Sequence, residues 1–280
     1  MSTKSMSETL TPYAALVLAG SRPGGDLLAK TMRVTHKALI PIEGKPMLLW
    51  VLQALSAASE VGRIAVCGLD AADLAAEPEL QSHVREAKVV LLPSRDTPSL
   101  SVLRSMQELR HLPLLVTTAD HPLLTSEMTD YFCREARRTG GDVAVGLTLG
   151  DTVRAAYPQA QRTFLRFRDA SYRGCNLFAF LTAGAERAAG YWTRVEQDRK
   201  RPWRMIRELG PTVLLRFLLH RLSLADAVRL VSERMGVEAH TVLLPWAEAG
   251  LDVDNVGHLE LVTEIARARR DQPRSTARVP

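Results

Sequence analysis

The chain has 280 residues, 46% hydrophobic and 24% charged, with a net charge of +5 and 5% aromatic residues. That composition describes an ordinary soluble globular protein, and so few aromatics argue against a base-stacking platform for single-stranded nucleic acid. The positive balance favours anionic partners without choosing among nucleotide, nucleic acid and membrane surface.

The segment 1–13 is polar and lacks the apolar core of a secretion signal. From residue 14 to about 148, strand patterns at 14–18, 63–68, 88–92, 113–117 and 142–147 alternate with helical patterns at 46–58, 72–86, 98–109 and 125–138. Pro46 is expected in a first helical turn, where a missing N–H costs nothing, and Thr125 as an N-cap. Such alternation predicts a mostly parallel central sheet with helices on both faces. Right-handed crossovers then bring the strand C-terminal ends to one ligand-binding rim. Beyond residue 150 the pattern changes. Period-two alternation predicts a half-buried strand over 162–168, with further strands at 175–180 and 241–244. Three or four helices are expected over 182–236, broken by Pro202 and by Gly210-Pro211, and a closing helix over 256–269. Leu224, Ala227, Val228 and Val231 have the spacing of a core face. The organisation expected is one domain over 1–270, with a helical insertion at about 186–236 and a frayed tail at 271–280.

Three cysteines, Cys67, Cys133 and Cys175, lie far apart without CxxC spacing, which argues against a zinc site or a disulfide framework. A reducing cytoplasm is the expected setting. No uncharged run reaches the roughly 20 residues of a membrane span.

Four segments carry residues with chemical potential, and each has a plain structural alternative. The first strand runs into Ala19-Gly20-Ser21-Arg22-Pro23-Gly24-Gly25. Gly20, Ser21 and neighbouring amides can approach a triphosphate, with Arg22 and Lys37 neutralising it; on the glycines alone, an ordinary strand-to-helix turn with surface cations is the stronger reading. The segment is neither a Walker loop nor a GxGxxG fingerprint. Asp120, in Thr118-Ala119-Asp120-His121-Pro122, lies just past a buried strand. It suits Mg²⁺, which takes one or two carboxylates with phosphate oxygens and water, or else it closes a turn. Asp252 and Asp254 stand at i, i+2 before the last helix; one can complete a metal site with Asp120, or Asp254 or Asn255 caps the helix. The segment 93–102, with Pro98, Ser99 and Ser101, opens a helix and can read a base edge or a phosphate, or is simply a capped helix start.

Together the segments resemble the nucleotidyltransferase superfamily that includes the molybdenum cofactor guanylyltransferase, the sugar-phosphate nucleotidyltransferases and the methylerythritol-phosphate cytidylyltransferase. The resemblance rests on Leu18-Ala19-Gly20, on His36-Lys37-Ala38-Leu39 with Gly44-Lys45-Pro46, on Thr118 to Leu123, and on Asp252-Val253-Asp254, and spans roughly 13–150 and 237–270. It implies a Rossmann-like fold of the GT-A type and transfer of a nucleoside monophosphate from an NTP to a small phosphorylated or similarly anionic acceptor, with release of pyrophosphate. By that resemblance Lys37 contacts phosphates, Asp120 and Asp254 hold Mg²⁺, and Ser101 and its neighbours meet the base. The loop departs from the usual Gly-Gly-x-x-x-Arg, so its arginine role falls to Arg22, Lys30 or Arg33.

Arg166 and Arg168, two apart, are candidates to grip the acceptor, or they form a solvated strand face. Gly174 and Asn176 fall where related enzymes contact the acceptor. The insertion, with Trp192, Lys200-Arg201-Pro202-Trp203-Arg204 and 214–221, suits either a helical cap or dimer contact, or a peripheral contact with anionic lipid. Partners expected are an NTP and the acceptor, without nucleic acid, in a monomer or homodimer. Two other functions stand beside transfer: a catalytically silent nucleotide sensor, and a glycosyltransferase of the GT-A type. Against the sensor stands the joint presence of Lys37, Asp120 and Asp254. Against the glycosyltransferase stands the lone Asp120, without an aspartate at position 118.

Overall fold

The structure is a computed structural model that describes residues 10–20, 25–160, 162–198, 215–216 and 218–271. The sequence candidates Ser21 and Arg22, the run 200–204, Gly210-Pro211, Leu214, Phe217 and residues 272–280 lie outside the described residues.

Strand β1, Tyr13–Leu18, consists of apolar residues that are buried almost without interruption. A strand covered on both faces has no reason to alternate. It lies at the centre of an eight-stranded sheet of order β10-β7-β9-β6-β1-β4-β5. The other members of that path are β4 (Val61–Cys67), β5 (Val90–Leu92), β6 (Leu114–Thr118), β7 (Val143–Leu149), β9 (Ser171–Phe180) and β10 (Ala239–Leu243). β1 runs parallel to both β4 and β6, β4 to β5, and β10 to β7. Only β9 runs against β6 and β7, and the two-residue β8 (Leu165–Arg166) pairs with β9. The expected mostly parallel α/β sheet is present.

Chain order fixes where a ligand can lie. From β1 the chain builds outward through β4 and β5, then returns to place β6 on the other side of β1. The crevice beyond the C-terminal ends of β1 and β6 is therefore a topological switch point. Backbone bonds join the loops on this rim: Ala19 N–H to Cys67 O, Gly68 N–H to Leu92 O, and Ala119 N–H to Leu18 O.

Helices cover both faces. Helix α1 (Leu27–Thr31) is capped by Asp26, whose carboxylate accepts from two amides of the first turn. Lys37–Leu39 forms a 3₁₀ turn capped by the His36 ring. A small hairpin, β2 (Pro41–Ile42) and β3 (Lys45–Pro46), follows. Its turn residues Glu43 and Gly44 have φ of 50° and 79°, both on the positive side as a tight two-residue hairpin turn demands. Helix α2 (Met47–Ser56) buries six residues under the sheet. α3 (Ala71–Ala75), α4 (Pro78–Glu86), α5 (Pro98–Leu109), α6 (Ser126–Arg138), α7 (Gly150–Ala156), α8 (Ala185–Asp198), α9 (Leu224–Met235) and α10 (Val256–Asp271) complete the described helices.

Several expectations need correction. Pro46 does not begin the helix; its ψ of 137° makes it the residue before α2. The helix expected over 72–86 is two helices, because Pro78 supplies no N–H for continuing the first and instead starts the second. The strand expected over 162–168 shrinks to Leu165–Arg166, which pair only with Tyr172 and Ser171 at the start of β9. Helices α1 and α7 were not anticipated; each is short and offers too few turns for a period to show. α9 is amphipathic as read, but none of its residues is buried. Leu224, Val228 and Val231 line an apolar cleft of about 370 Å³ with Val145, Phe178 and Trp192. Among the described residues no helix is long and apolar enough to cross a membrane, and all three cysteines are free and buried.

Candidate active site

At the switch point opens a polar cleft of about 520 Å³. Its wall comes from widely separated stretches of chain, among them those that carry Gly20, Lys37, Ser101, Asp120, Asn176 and Asp254. A smaller recess of about 50 Å³ continues it under Ala19, Gly20, His36 and Met47.

Lys37 stands at the junction. Its ammonium donates to Asp120 Oδ2 at 2.8 Å and to Asp254 Oδ1 at 3.2 Å. The His36 ring accepts the Ala38 N–H and so holds the 3₁₀ turn that aims the lysine. Burial works against the Lys37 charge, but Asp120 and then Asp254 outweigh it and raise its pKa above the ordinary lysine value. Asp120 keeps one oxygen for other work: Oδ1 is buried and has no hydrogen-bond partner among the described residues. The Val253 N–H donates to Asp120 O at 2.9 Å, which ties the loop carrying Asp254 to the end of β6.

Asp252 has a different neighbourhood from Asp254. Its Oδ1 accepts from Arg162 at 2.8 Å and from Arg173 at 2.7 Å, and its Oδ2 from Asn176 at 3.3 Å. Burial favours the neutral acid, but Arg173 and Arg162 together hold the carboxyl below its usual range. The Arg162 side chain is fully buried, and its Nη1 also donates to Asp252 O and to His258 Nδ1. Its Nε and Nη2 have no partner among the described residues. One ligand atom each of Asp252, Asp254 and His258 lie within 4.8 Å of one another.

The base-side wall follows from α5. Thr97 caps it by accepting the Leu100 N–H. Pro98 and Ser101 line the cleft, and Ser101 Oγ accepts the Arg95 N–H at 2.9 Å. Ser99 does not face the cleft: it is fully buried, and its N–H donates to Glu196 of α8. Cys67 also reaches the cleft wall, where burial pushes its thiol pKa up despite Ser105 and Ser101, so it stays a protonated thiol.

Backbone close approach shapes the glycine turn. A Cβ on Gly68, whose φ is 103°, would lie 2.5 Å from Gly20 Cα, and a Cβ on Gly20 would meet Ser94 at 3.3 Å. Gly20 therefore sits pressed between the ends of β4 and β5, and its backbone stays bare toward the cleft.

The structure brings together Ala19, Gly20, Lys37, Pro98, Ser101, Asp120, Asn176 and Asp254. It does not bring Arg166 or Arg168 there. Both are exposed, and their backbones meet His220 and Leu222 instead, because the chain turns away after β8. Gly174 is exposed with open space around it and is not part of the cleft wall. Lys30 lies against Gly25, with its Cε 3.1 Å from where a Cβ there would stand. Sequence reading missed Arg162, Arg173, His258 and Gly68. Arg173 stands in the same strand as Asn176 and could have been found from it, whereas the alternation that begins at Arg162 gives no sign that this residue meets Asp252.

Comparison with known proteins agrees with this fold. A hypothetical transferase from Thermus thermophilus is 30% identical, with a TM-score of 0.74 over 89% of this chain and 100% of that one. A 2-C-methyl-D-erythritol 4-phosphate cytidylyltransferase from the same organism is 17% identical, with a TM-score of 0.52 over 92% of this chain and 100% of that one. A CMP:2-keto-3-deoxy-manno-octonic acid synthetase complexed with CTP is 15% identical, with a TM-score of 0.51 over 92% and 98%; these last two likenesses concern the fold. No curated protein sequence matches the chain. The family profile of the MobA-like NTP transferase domain matches residues 15–165, more than half of the chain and the part that carries Gly20, Lys37, Ser101 and Asp120, so the protein belongs to the MobA-like NTP transferases and is a nucleotidyltransferase.

Proposed function

We propose that the protein transfers a nucleoside monophosphate from an NTP to a small anionic acceptor, with loss of pyrophosphate and dependence on a divalent cation. The observation that carries this reading is the contact of one ammonium with two carboxylates, Lys37 with Asp120 and Asp254, on the rim of the cleft beside Gly20.

The bare backbone at Gly20 admits a phosphate closely, and the N-terminus of the 12-residue α5 favours negative charge. Lys37, kept charged by its neighbours, neutralises phosphate oxygens. An acceptor oxygen attacks the α-phosphorus in line, the bond to the bridging oxygen breaks, and pyrophosphate leaves. The side chains contribute position and charge rather than covalent chemistry.

Asp120 and Asp254 suit a magnesium ion. They offer oxygen donors only, and Asp120 Oδ1 is a buried oxygen that lacks a partner among the described residues. When bound, such an ion offsets the charge that builds on the phosphate oxygens. Asp252 fits this task poorly, because two arginines and Asn176 already occupy its oxygens. With Arg166 and Arg168 turned away, Asn176 is the remaining sequence candidate at the acceptor end. On this reading residues 1–270 act as one catalytic domain with a helical insertion, in the cytoplasm.

Pyrophosphate release, measured with each NTP against a panel of phosphorylated and carboxylated acceptors, tests the proposal. CTP comes first, as the nucleotide of the synthetase complex named above. Asp120→Asn is expected to keep its circular dichroism and lose at least about a hundredfold in rate. Undiminished turnover by that variant would remove Asp120 from the mechanism.

A further inference from the structure

The carboxylates assigned to the divalent cation are already engaged. Lys37 Nζ lies 2.8 Å from Asp120 and 3.2 Å from Asp254. Its side chain is 18% exposed, and that of Asp120 is 22% exposed. In such a partly dry setting two charges attract more strongly than they do in bulk water, and without a cation between them the two acids would repel one another. We propose that Lys37 is a resident counter-ion that competes with free divalent cation for Asp120 and Asp254 and so holds down the metal affinity of the nucleotide-free protein. It rests on the assignment of Asp120 and Asp254 made above.

Three observations support competition rather than a fixed structural bridge. The backbone of Lys37 is set by the His36-capped turn, so the four-carbon stem can move while its anchor stays in place. Lys37 also lines both the main cleft and the recess beneath Gly20, which gives the ammonium room beside the glycine turn once it leaves the acids. The contact with Asp254 is the longer one, to a side chain that is 54% exposed; this half of the bridge opens more easily. By contrast, the acid beside it that is held permanently, Asp252, is gripped by two arginines, one of them fully buried. The two neighbouring aspartates thus have separate jobs: one is locked, the other is held by a cation that can move.

The test follows Mn²⁺ alone, by the electron paramagnetic resonance signal of the free ion, and needs no turnover. Lys37→Met is expected to bind Mn²⁺ at least tenfold more tightly than wild type, while Lys37→Arg, which keeps the charge, stays near wild type. Asp120→Asn is expected to lose Mn²⁺ in either background. Equal or weaker binding by a folded Lys37→Met variant, with Asp120→Asn still abolishing it, would overturn the competition and leave the metal assignment standing. No effect of Asp120→Asn in any background would instead remove the assignment itself. A second measurement uses wild type only, in case the methionine variant does not fold. Saturating Mn²⁺ is expected to raise the rate at which acetic anhydride modifies Lys37, read by mass spectrometry, because the displaced amine loses its two acids. An unchanged rate would refute the proposal.

Discussion

Asp252 and Asp254 look alike in sequence, two carboxylates two residues apart, yet their surroundings assign them opposite tasks. Asp252 is 15% exposed and neutralises Arg162 and Arg173; Asp254 is 54% exposed and meets only the Lys37 ammonium among the described ion pairs. Removing one member of a buried ion pair leaves the other charge uncompensated, a loss of about 3 kcal/mol or more. Asp252→Asn is therefore expected to lower the urea-unfolding free energy by about that amount, whereas Asp254→Asn changes it little and acts on turnover. Equal stability of the two variants would refute this division. The residue alphabet alone could not make it, because the arginines that meet Asp252, Arg162 and Arg173, stand some eighty to ninety residues away in the chain.

The elements that build the cleft are short loops between long, apolar strands, and the closest tolerance is at the end of β4. Gly68 adopts a φ of 103° with Gly20 backbone where its Cβ would be. Gly68→Ala must both strain its own backbone and push the glycine turn after β1 away. A loss of more than about 1 kcal/mol in stability is expected, together with weaker NTP binding by equilibrium titration; intact nucleotide affinity would show that the turn does not hold the phosphates. The strand–helix alternation over 14–148 was legible because buried parallel strands and amphipathic helices leave continuous marks. The tight contact of Gly68 with Gly20 was not, because a glycine that yields to a neighbouring loop looks like any other turn glycine. The face of α9 misled for a related reason: amphipathic spacing marks an apolar side but does not reveal how completely another element covers it.

For the molecule as a whole, two buried histidines next to the site residues couple stability to pH. Burial pushes both His36 and His121 below the ordinary histidine value, the carboxylates nearby offsetting this only in part. An unfolded chain titrates them near about pH 6.5, so it gains protons there that the folded chain refuses. Stability is full above that pH and declines as the pH falls toward the lowered folded values. Urea unfolding between pH 7.5 and 5 is expected to show this decline. His36→Asn, which keeps a capping oxygen for the turn but does not titrate, should show a shallower one; a slope identical to wild type would refute the assignment. Sequence by itself determined the α/β alternation, the nucleotidyltransferase resemblance, and the short list of Gly20, Lys37, Asp120 and Asp254, since local periodicity and ordered motifs need no distant information. Only the tertiary structure decided that these residues share one rim, that Arg162 and Arg173 rather than Arg166 and Arg168 stand beside it, and that Lys37 bridges two acids. Those facts depend on strand order, with β6 returning to the far side of β1, and on which distant loops that return brings into contact.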